Sequence, residues 1–269
     1  MDIKMIRIIN EGILYCNQRP GYESIHAHFP FIEQLGKEEL ICFYSRGSAM
    51  TSADKVVAKL RSADGGNTWN EEGVVWDPSR DDKKFCYYHG AATKLKNGKL
   101  IAVLTRFDRS NPEELMWDPE TGGYPDPDIV ILRSEDNGHS WSKPEIVPFP
   151  EGMIGNHAGT IIELDDKNLM LNFETWKHSG DSEAAEQKSL ALVSENEGKS
   201  WDLVNQVRLW DASGRDIIGI KKEGELEQML GFAFGMPHAK LLSNGDIMSC
   251  FWCTSASITH IRWCRLKVE

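Results

Sequence analysis

An all-β fold built from repeated four-stranded antiparallel sheets is predicted by two observations on the sequence. The first is an octet that occurs three times, at residues 62–69, 134–141 and 194–201, with Ser first, Gly fifth and Trp last. The second is a pair of short apolar runs, separated by a polar turn, ahead of each octet. Asp or Asn at the third position accepts from backbone N–H groups and Gly permits positive φ, so the octet is typical of a hairpin turn.

The apolar runs define the strands of each repeat. We predict first strands at residues 30–35, 90–95, 159–164 and 237–242, and second strands at residues 40–44, 100–104, 169–173 and 247–251. The turns between them, such as Lys96-Asn97-Gly98, are hairpin signals. A third strand runs into each octet and a fourth strand follows it. Each complete repeat is therefore predicted to be one four-stranded antiparallel sheet.

The two ends of the chain are predicted to complete one sheet together. The fourth repeat stops after its third strand, at residues 258–265, and the amino-terminal part offers an unassigned strand at residues 5–9 or 13–16. Such closure removes exposed strand edges, as in a β-propeller, which usually has about four to eight blades. We therefore predict a single domain over residues 1–269, a four-bladed β-propeller whose N-terminal strand closes the last blade.

Composition narrows the class of protein. The chain has 269 residues, 41% hydrophobic and 26% charged, which is ordinary for a soluble globular protein. The formal net charge of −11 argues against a nucleic-acid partner, because such binding depends on Lys and Arg. The sequence has neither an apolar run of membrane-spanning length nor a secretory segment at its start. We expect a cytoplasmic location, no membrane or nucleic-acid partner and no cofactor; nothing in the pattern predicts the oligomeric state.

The cysteines and two long loops stand outside the repeat pattern. Six cysteines, at positions 16, 42, 86, 250, 253 and 264, are interpreted as reduced core residues, since most lie in apolar runs. Cys250 and Cys253 have redox or metal spacing, but residues three apart on a strand point to opposite faces. Residues 109–126 and 211–236 are predicted to be rim loops, the kind of segment that carries specificity on a rigid scaffold.

The octets are similar to the Asp-box of sialidases and of the wider sialidase-like superfamily of BNR-repeat propellers. Two octets match at every key position, and the third has Asn196 in place of Asp. The resemblance implies a β-propeller, which in that superfamily usually has six blades where four are counted here. It also implies a saccharide substrate and a site on the face away from the octets.

The resemblance also suggests positions for catalytic acids. Where sialidases have an Arg-Ile-Pro motif that binds the substrate carboxylate, this chain reads His28-Phe29-Pro30. The family's acid/base aspartate precedes a third strand, which is the place of Asp54, and Asp126 recurs at the same spacing from its octet. We predict Asp54 or Asp126 as the proton donor. The alternative is that these acids only solvate the start of each third strand.

Arginines at the ends of second strands could hold a substrate carboxylate. Arg46 and Arg106 have this place, and Glu174 has it in the third repeat. A guanidinium group can bind a carboxylate in bidentate fashion, although a salt bridge to a rim acid would equally explain these arginines. Tyr88 is predicted to be catalytic, from a set of rim tyrosines that also includes Tyr87 and Tyr124.

Histidines form the most unusual pattern. Five of the eight lie close to the start of a predicted first strand, which is the innermost strand of a blade: His26, His28, His89, His157 and His238. Neutral imidazole can act as a base or bind substrate and metals, and capping of strand ends is the structural alternative. The registers of these histidines differ between repeats, so we predict no metal site. We assign His89 as base or orienting group.

These observations together favour a carbohydrate-active enzyme that hydrolyses a glycosidic bond of an acidic or modified sugar. The alternatives are a lyase acting on uronate saccharides and a non-catalytic carbohydrate-binding propeller. The predicted site comprises catalytic and substrate-binding residues. The predicted catalytic residues are Asp54, Asp126, His89 and Tyr88. The predicted substrate-binding residues are His28, Arg46, Arg106, His157, Glu174 and His238.

Overall fold

The computed structural model describes residues 12–111, 113–149, 154–165, 167–183, 188–211, 234–241, 247–255 and 258–266. Side chains are described as far as residue 201, apart from those of residues 154, 156 and 157. Within these ranges the chain forms fifteen strands in four separate antiparallel sheets, with one short 3₁₀ helix at Pro78–Arg80. The all-β fold and the four repeats are therefore confirmed.

Each sheet follows chain order. Sheet 1 contains β1 (His26–Gln34), β2 (Leu40–Gly47), β3 (Val56–Ser62) and β4 (Asn70–Val74). Sheet 2 contains β5 (Phe85–Lys94), β6 (Leu100–Asp108), β7 (Pro127–Ser134) and β8 (Glu145–Ile146). Sheet 3 contains β9 (Ile154–Glu163), β10 (Leu169–Trp176), β11 (Lys188–Ser194) and β12 (Asp202–Asp211). Sheet 4 contains β13 (Phe234–Leu241), β14 (Ile247–Ser255) and β15 (Ile258–Leu266).

The octets form the turns between third and fourth strands, as predicted. In the first octet the Asp64 carboxylate accepts from the backbone N–H of Thr68 at 2.9 Å and from its hydroxyl at 2.6 Å. The hydroxyl of Ser62 accepts from the N–H of Gly66 at 2.9 Å, and the indole of Trp69 donates to the Gly66 carbonyl. The hydrogen bonds from Thr68, and then that from the Ser62 hydroxyl, lower the pKa of Asp64 to about 2. The octet is thus a locally satisfied turn.

The sheets pack face to face through apolar side chains that alternate along each strand. Ile41 and Phe43 of sheet 1 pack with Leu100, Leu104 and other residues of sheet 2. The opposite face of sheet 2 packs on sheet 3 through a second cluster, which includes Ile101, Val103, Ile131, Leu171 and Phe173. Because period-2 alternation gives the strands of sheet 2 two apolar faces, this sheet is buried on both sides.

An arginine of one sheet binds the octet of the next sheet. Arg61 of β3 donates to the carbonyl of Asn137, the fourth residue of the second octet, at 3.0 Å. Arg133 of β7 donates to the carbonyls of Glu197 and Gly198, the fourth and fifth residues of the third octet, at 3.4 and 2.9 Å. Each arginine immediately precedes its own octet. The same polar joint therefore links sheets 1 and 2 and sheets 2 and 3.

The closure of the fourth sheet stays a prediction. Sheet 4 has three strands in the described ranges, as expected from the sequence. Residues 5–9 lie outside the described part of the chain. Residues 13–16 form no strand; Leu14 and Tyr15 instead pack on the face of sheet 1 that is turned away from sheet 2, against Cys42, Tyr44 and Leu60.

The cysteine and loop predictions are met in part. Cys42 and Cys86 are buried free thiols, whereas Cys16 is exposed, so its assignment to the core was wrong. The side chains of the other three cysteines and the loop at residues 212–233 lie outside the described part. The loop at residues 109–126 is described except for residue 112 and lies between β6 and β7. In the described residues no helix has the length and apolar character to cross a bilayer.

Candidate functional site

Strand pairing brings most of the predicted site residues to one end of the sheets. His28 of β1 pairs with Ser45 of β2, and Arg46 pairs with Val56 at the start of β3. In sheet 2, Arg106 pairs with Tyr87 on one side and with Asp128 on the other. This end, which we call the octet-free end, contains the starts of first and third strands and the ends of second strands. The octets lie at the other end.

The first strands begin earlier than predicted. β1 begins at His26 and β5 at Phe85, four and five residues ahead of the predicted positions. The register shifts between His28 and Phe31 and between Tyr87 and His89, and the pairing resumes beyond each irregularity. Such bulges re-aim side chains, and the apolar pattern alone does not reveal them. The histidines therefore lie within the strands rather than ahead of them.

A buried lysine lies at the centre of the octet-free end of sheets 1 and 2. The side chain of Lys55 has no exposed surface; its Nζ lies 2.5 Å from Nε2 of His28 and donates to the Met50 carbonyl at 2.6 Å. The same ammonium lies 3.6 Å from the centre of the Tyr88 ring. Burial lowers the pKa of Lys55 to about 7, which the Cys86 thiol and Asp54 only partly oppose.

His28 is held as a neutral imidazole. Burial is the main reason that its pKa falls to about 4, with Lys55 and His26 contributing in the same direction. Its Nδ1 lies 3.2 Å from Nδ1 of His26. Lys55, His28 and His26 thus form a chain of nitrogen atoms that runs from the interior to the exposed start of β1.

Phe29, next to His28, has a backbone conformation that is rare for a bulky residue. Its φ is +53°, in the left-handed region, where aromatic side chains are strained. The ring packs near those of His28, Tyr88 and His89, with centroids 4.3, 5.7 and 5.8 Å away. The bulge thus places Phe29 between the two sheets, in contact with His28 of β1 and with Tyr88 and His89 of β5.

Asp54 lies on the wall of an open cleft of about 380 Å³ between sheets 1 and 2. The cleft is also lined by Ser79, Lys83, Lys84 and Phe85. Both carboxylate oxygens of Asp54 lie 3.1 Å from the backbone nitrogen of Ser48. Burial acts to raise the pKa of Asp54, but hydrogen bonds from Ser52 and Ser48 outweigh it and leave the pKa below its usual value. Asp54 is therefore ionised at neutral pH.

Both predicted arginine clamps are already engaged with protein acids. Arg106 is largely buried, and its guanidinium donates to Asp128 at 3.0 Å and lies 3.6 Å from Asp81. Arg46 pairs with Glu71 on the face of sheet 1 that is turned away from sheet 2. The salt-bridge alternative therefore describes these arginines in this structure. The prediction that they clamp a substrate carboxylate gains no support from these contacts.

Asp126 pairs with a histidine that the sequence did not single out. Its Oδ1 lies 2.5 Å from Nδ1 of His178, in the segment that follows β10. Both side chains are exposed, at 69% and 43% of their surface. The pair joins the loop of sheet 2 to sheet 3. The catalytic role predicted for Asp126, like the roles of the other predicted site residues, stays a prediction.

A glycine allows the loop that carries Asp126 to approach His178 closely. Gly123 lies so close to His178 that a Cβ would overlap the His178 carbonyl. Around it, the indole of Trp176 donates to the Gly122 carbonyl at 2.7 Å, and the N–H of Ser179 donates to Tyr124 at 2.8 Å. The loop therefore docks on sheet 3 by backbone contact, which only a residue without a side chain permits.

Replacing Gly123 with alanine is expected to destabilise the protein by about 1–3 kcal/mol, because the methyl group would push the loop off sheet 3. Denaturant unfolding would measure the loss, and limited proteolysis would show earlier cleavage in the loop. Gly21→Ala is the matched control, since no atom lies within 4 Å of a Cβ there. Equal stability of both variants would contradict the docking described above.

The remaining predicted residues are distributed around the same end. Tyr88 and His89 are buried on β5, and Glu174 is buried on β10. His157 and His238 lie on the first strands of sheets 3 and 4, but their side chains lie outside the described part. Their convergence with His28 and His89 stays a prediction.

Sequence reasoning missed Lys55, His178 and Asp81. Lys55 follows Asp54 directly, and a lysine just ahead of a strand is normally assigned to the surface. Asp81 lies in the connection between sheets 1 and 2, where its side chain is only 2% exposed and accepts from Tyr87 at 2.9 Å. The Trp76 indole donates to Asp81 at 3.0 Å. Trp76 in a connecting segment was the available signal that this connection is buried.

Comparison with known proteins identifies the fold. No family model matches the chain, and no curated protein does at a significant level. Among solved structures, an α-L-arabinanase of Penicillium chrysogenum with arabinobiose is 17% identical, with TM-score 0.55 over 89% of this chain and 62% of that chain. An α-L-arabinofuranosidase of Fusarium graminearum is 14% identical, with TM-score 0.58 over 90% and 63%.

A polysaccharide lyase, an ulvan lyase, is 11% identical, with TM-score 0.50 over 88% of this chain and 55% of that chain. The chain therefore spans 55–63% of the length of these three enzymes. At such identities the likeness concerns the fold alone. This chain has a β-propeller fold, which it shares with carbohydrate-active enzymes.

Proposed function

We propose that the protein is a carbohydrate-active enzyme that cleaves a glycosidic bond in a saccharide bound at the octet-free end of sheets 1 and 2. The observation that carries the proposal is the cleft of about 380 Å³ with the Asp54 carboxylate on its wall. Its volume lies within the roughly 300–1,000 Å³ typical of ligand pockets. The arabinanase and arabinofuranosidase of similar fold act on saccharides, which supports a saccharide ligand here.

Asp54 is suited to the role of base or nucleophile. Glycoside hydrolysis needs one ionised carboxylate and one protonated acid on opposite sides of the bond. Because hydrogen bonds hold the pKa of Asp54 below its usual value, its carboxylate is ionised at the pH of the reaction. This assignment differs from the proton-donor role that its position suggested in the sequence. In an inverting hydrolase, the Asp54 carboxylate would take a proton from the attacking water.

Elimination is the second candidate reaction, and the chain formed by Lys55, His28 and His26 favours it. The imidazole of His26, at the exposed end of this chain, is the type of group that can accept the proton beside a uronate carboxylate. The glycosidic oxygen then leaves and a carbon–carbon double bond forms. The ulvan lyase of similar fold supports this alternative. Elimination yields a product that absorbs in the ultraviolet, whereas hydrolysis yields only new reducing ends.

The test is a panel of arabinan, inulin and polyuronates, followed by both readouts. We expect new reducing ends without ultraviolet absorbance, and a loss of turnover of about 10²–10⁴-fold in Asp54→Asn, the range typical of a group that transfers a proton. Asp165→Asn is the matched control. Like the Asp54 carboxylate, that of Asp165 accepts from the backbone, here from the N–H groups of Lys167 and Asn168, but it lies in the turn between β9 and β10, at the octet end.

Three outcomes bear on the proposal differently. Full turnover in Asp54→Asn, on a substrate that the wild type cleaves, would remove Asp54 from the reaction. Ultraviolet absorbance of the product would replace hydrolysis with elimination. Saccharide binding without any cleavage by the wild type would leave a carbohydrate-binding propeller instead of an enzyme.

A further inference from the structure

Arg109 is a buried arginine without an acidic partner among the described residues. Three arginines are buried in the part of the chain whose side chains the structure describes: Arg61, Arg106 and Arg109, at 8%, 8% and 6% exposure. The guanidinium groups of Arg61 and Arg106 each lie within 4 Å of two carboxylates. No carboxylate of the described residues lies within 4 Å of the Arg109 guanidinium. The three buried arginines are therefore not equivalent.

The guanidinium of Arg109 is also short of hydrogen bonds. In the described part of the chain its Nε has no partner, and its Nη1 makes only a long contact of 4.0 Å to Sδ of Met116. A thioether sulfur is a weak acceptor, and a guanidinium has five N–H donors and keeps its charge in proteins. A buried charge is unfavourable unless an opposite charge and hydrogen bonds compensate it. The guanidinium thus lacks the acceptors that its burial requires.

The surroundings of Arg109 favour an anion. The thiol of Cys86 lies near both Arg109 and Lys55, and both basic groups act to lower the pKa of this thiol. Burial outweighs them and raises the pKa of Cys86 to about 11, so the thiol is neutral at pH 7 and compensates neither group. Two buried basic groups around a neutral thiol create a positive potential in a region of low dielectric constant.

Arg109 lies at the edge of the cleft that contains Asp54. Its backbone N–H donates to the carbonyl of Lys84 at 2.6 Å, and Lys84 lines the cleft. Arg109 also begins the rim loop at residues 109–126, and Met116 of this loop contacts the guanidinium. A methionine side chain is unbranched and flexible, so a ligand can displace it at low cost. The guanidinium is therefore positioned to receive a group that enters from the cleft.

We propose that Arg109 binds an oxyanion group, a carboxylate, sulfate or phosphate, at this edge of the cleft. The planar guanidinium matches two oxygen atoms of such a group in bidentate fashion. Two sources share this chemistry, namely an acidic substituent of a saccharide and a free anion. The site goes beyond the proposed reaction, because it requires an anionic group but no bond cleavage. Arg109 is also not one of the arginines that the sequence pattern singled out.

Isothermal titration of the full-length protein with sodium glucuronate, phosphate and sulfate, at constant ionic strength, tests the site. We expect saturable binding of one anion per chain. Arg109→Met removes the charge at similar side-chain length and should weaken binding at least about tenfold, the effect of losing a hydrogen bond to a charged group. Arg19→Met is the matched control, because Arg19 is 72% exposed, and its affinity should equal that of the wild type.

Arg109→Lys separates the charge from the geometry of the site. It keeps the positive charge but lacks the planar fork, so its affinity should lie between those of the wild type and Arg109→Met. Thermal unfolding without added anion should show Arg109→Met to be at least as stable as the wild type, because the substitution removes an unpaired buried charge.

The relative affinities of the probes identify the source of the anion. Tighter binding of glucuronate than of phosphate and sulfate would assign the site to a saccharide substituent, and the reverse order would assign it to a free anion; both results support the proposal. Absence of saturable binding of all three probes, equal affinity in the wild type and Arg109→Met, or a large loss of stability in Arg109→Met would overturn it. The titration requires no cleavage, so its result is independent of the saccharide assays.

Discussion

Trp141→Ala is expected to lower the free energy of unfolding by about 3–5 kcal/mol, the range for removing a buried aromatic side chain. The indole is 9% exposed and lies in the core between sheets 1 and 2. It packs edge to face on Phe43 of sheet 1, with 5.6 Å between ring centroids. Its Nε1 donates to the Gly138 carbonyl of its own octet at 3.2 Å. The substitution would therefore open a cavity at the joint and release the turn.

Urea unfolding of Trp141→Ala and Trp69→Ala measures this effect. Trp69 ends the equivalent octet of sheet 1 and makes the same indole contact to its own turn, but it is only half-buried, on the face of that sheet that is turned away from sheet 2. The loss should therefore be smaller in Trp69→Ala. A Trp141→Ala protein with the wild-type midpoint but without saccharide cleavage would show that the indole has a catalytic rather than a structural role.

Lys55→Met is expected to stabilise the protein below pH 7 and to remove much of the pH dependence of its stability. The pKa of Lys55 is about 7 in the folded protein against an ordinary value of 10.5. Between these values the unfolded chain binds more protons, so the wild-type free energy of unfolding rises with pH. At about 1.4 kcal/mol per pKa unit, the rise amounts to about 5 kcal/mol and is complete near pH 10.5.

Below pH 7 both states carry the proton, and the full cost of the buried charge remains. The increase in the free energy of unfolding in Lys55→Met is therefore largest below pH 7. The loss of the two contacts that Lys55 makes with His28 and Met50 reduces this increase. Other groups near Lys55 are the carboxylate of Asp54, the thiol of Cys86 and the Tyr88 ring. Asp54 is ionised over the range from pH 5 to 8, because its pKa is lowered, whereas burial raises the pKa of the Cys86 thiol to about 11 and keeps it neutral there.

Denaturant unfolding from pH 5 to pH 10, with a chelator present, gives the two curves to compare. Lys37→Met, at an exposed position, is the matched control and should follow the wild-type curve. Parallel curves for the wild type and Lys55→Met would mean that Lys55 titrates normally. The pKa assigned to this lysine would then be wrong.

The turns and strand order could be predicted from the sequence because their causes are local. An octet satisfies its own backbone through Asp64 and Thr68, so its residues specify the turn wherever it occurs. Alternating apolar residues then specify which strands pair. The starts of β1 and β5 could not be predicted in this way, because a bulge depends on how two strands meet rather than on either strand alone.

The site was less predictable because its contacts join distant segments. Arg106 ends β6 as expected, but its partner Asp81 comes from the connection between sheets 1 and 2. Asp126 was identified by its spacing from an octet, whereas its partner His178 follows a strand of another sheet. Burial of a charged group such as Lys55 depends on the packing of two sheets, which no local pattern encodes.

The arginine that precedes an octet has a consequence for how proteins of this type change in size. Arg61 and Arg133 meet equivalent carbonyls in the next octet. In sheet 3 the residue just ahead of the octet is Val193 instead of an arginine. The sequence has no fourth octet whose carbonyls an arginine at this position could bind. If the whole second repeat were lost, Arg61 would lie beside the carbonyls of the third octet that Arg133 binds now. Repeats can therefore be gained or lost as interchangeable units, each with a ready-made joint to its successor.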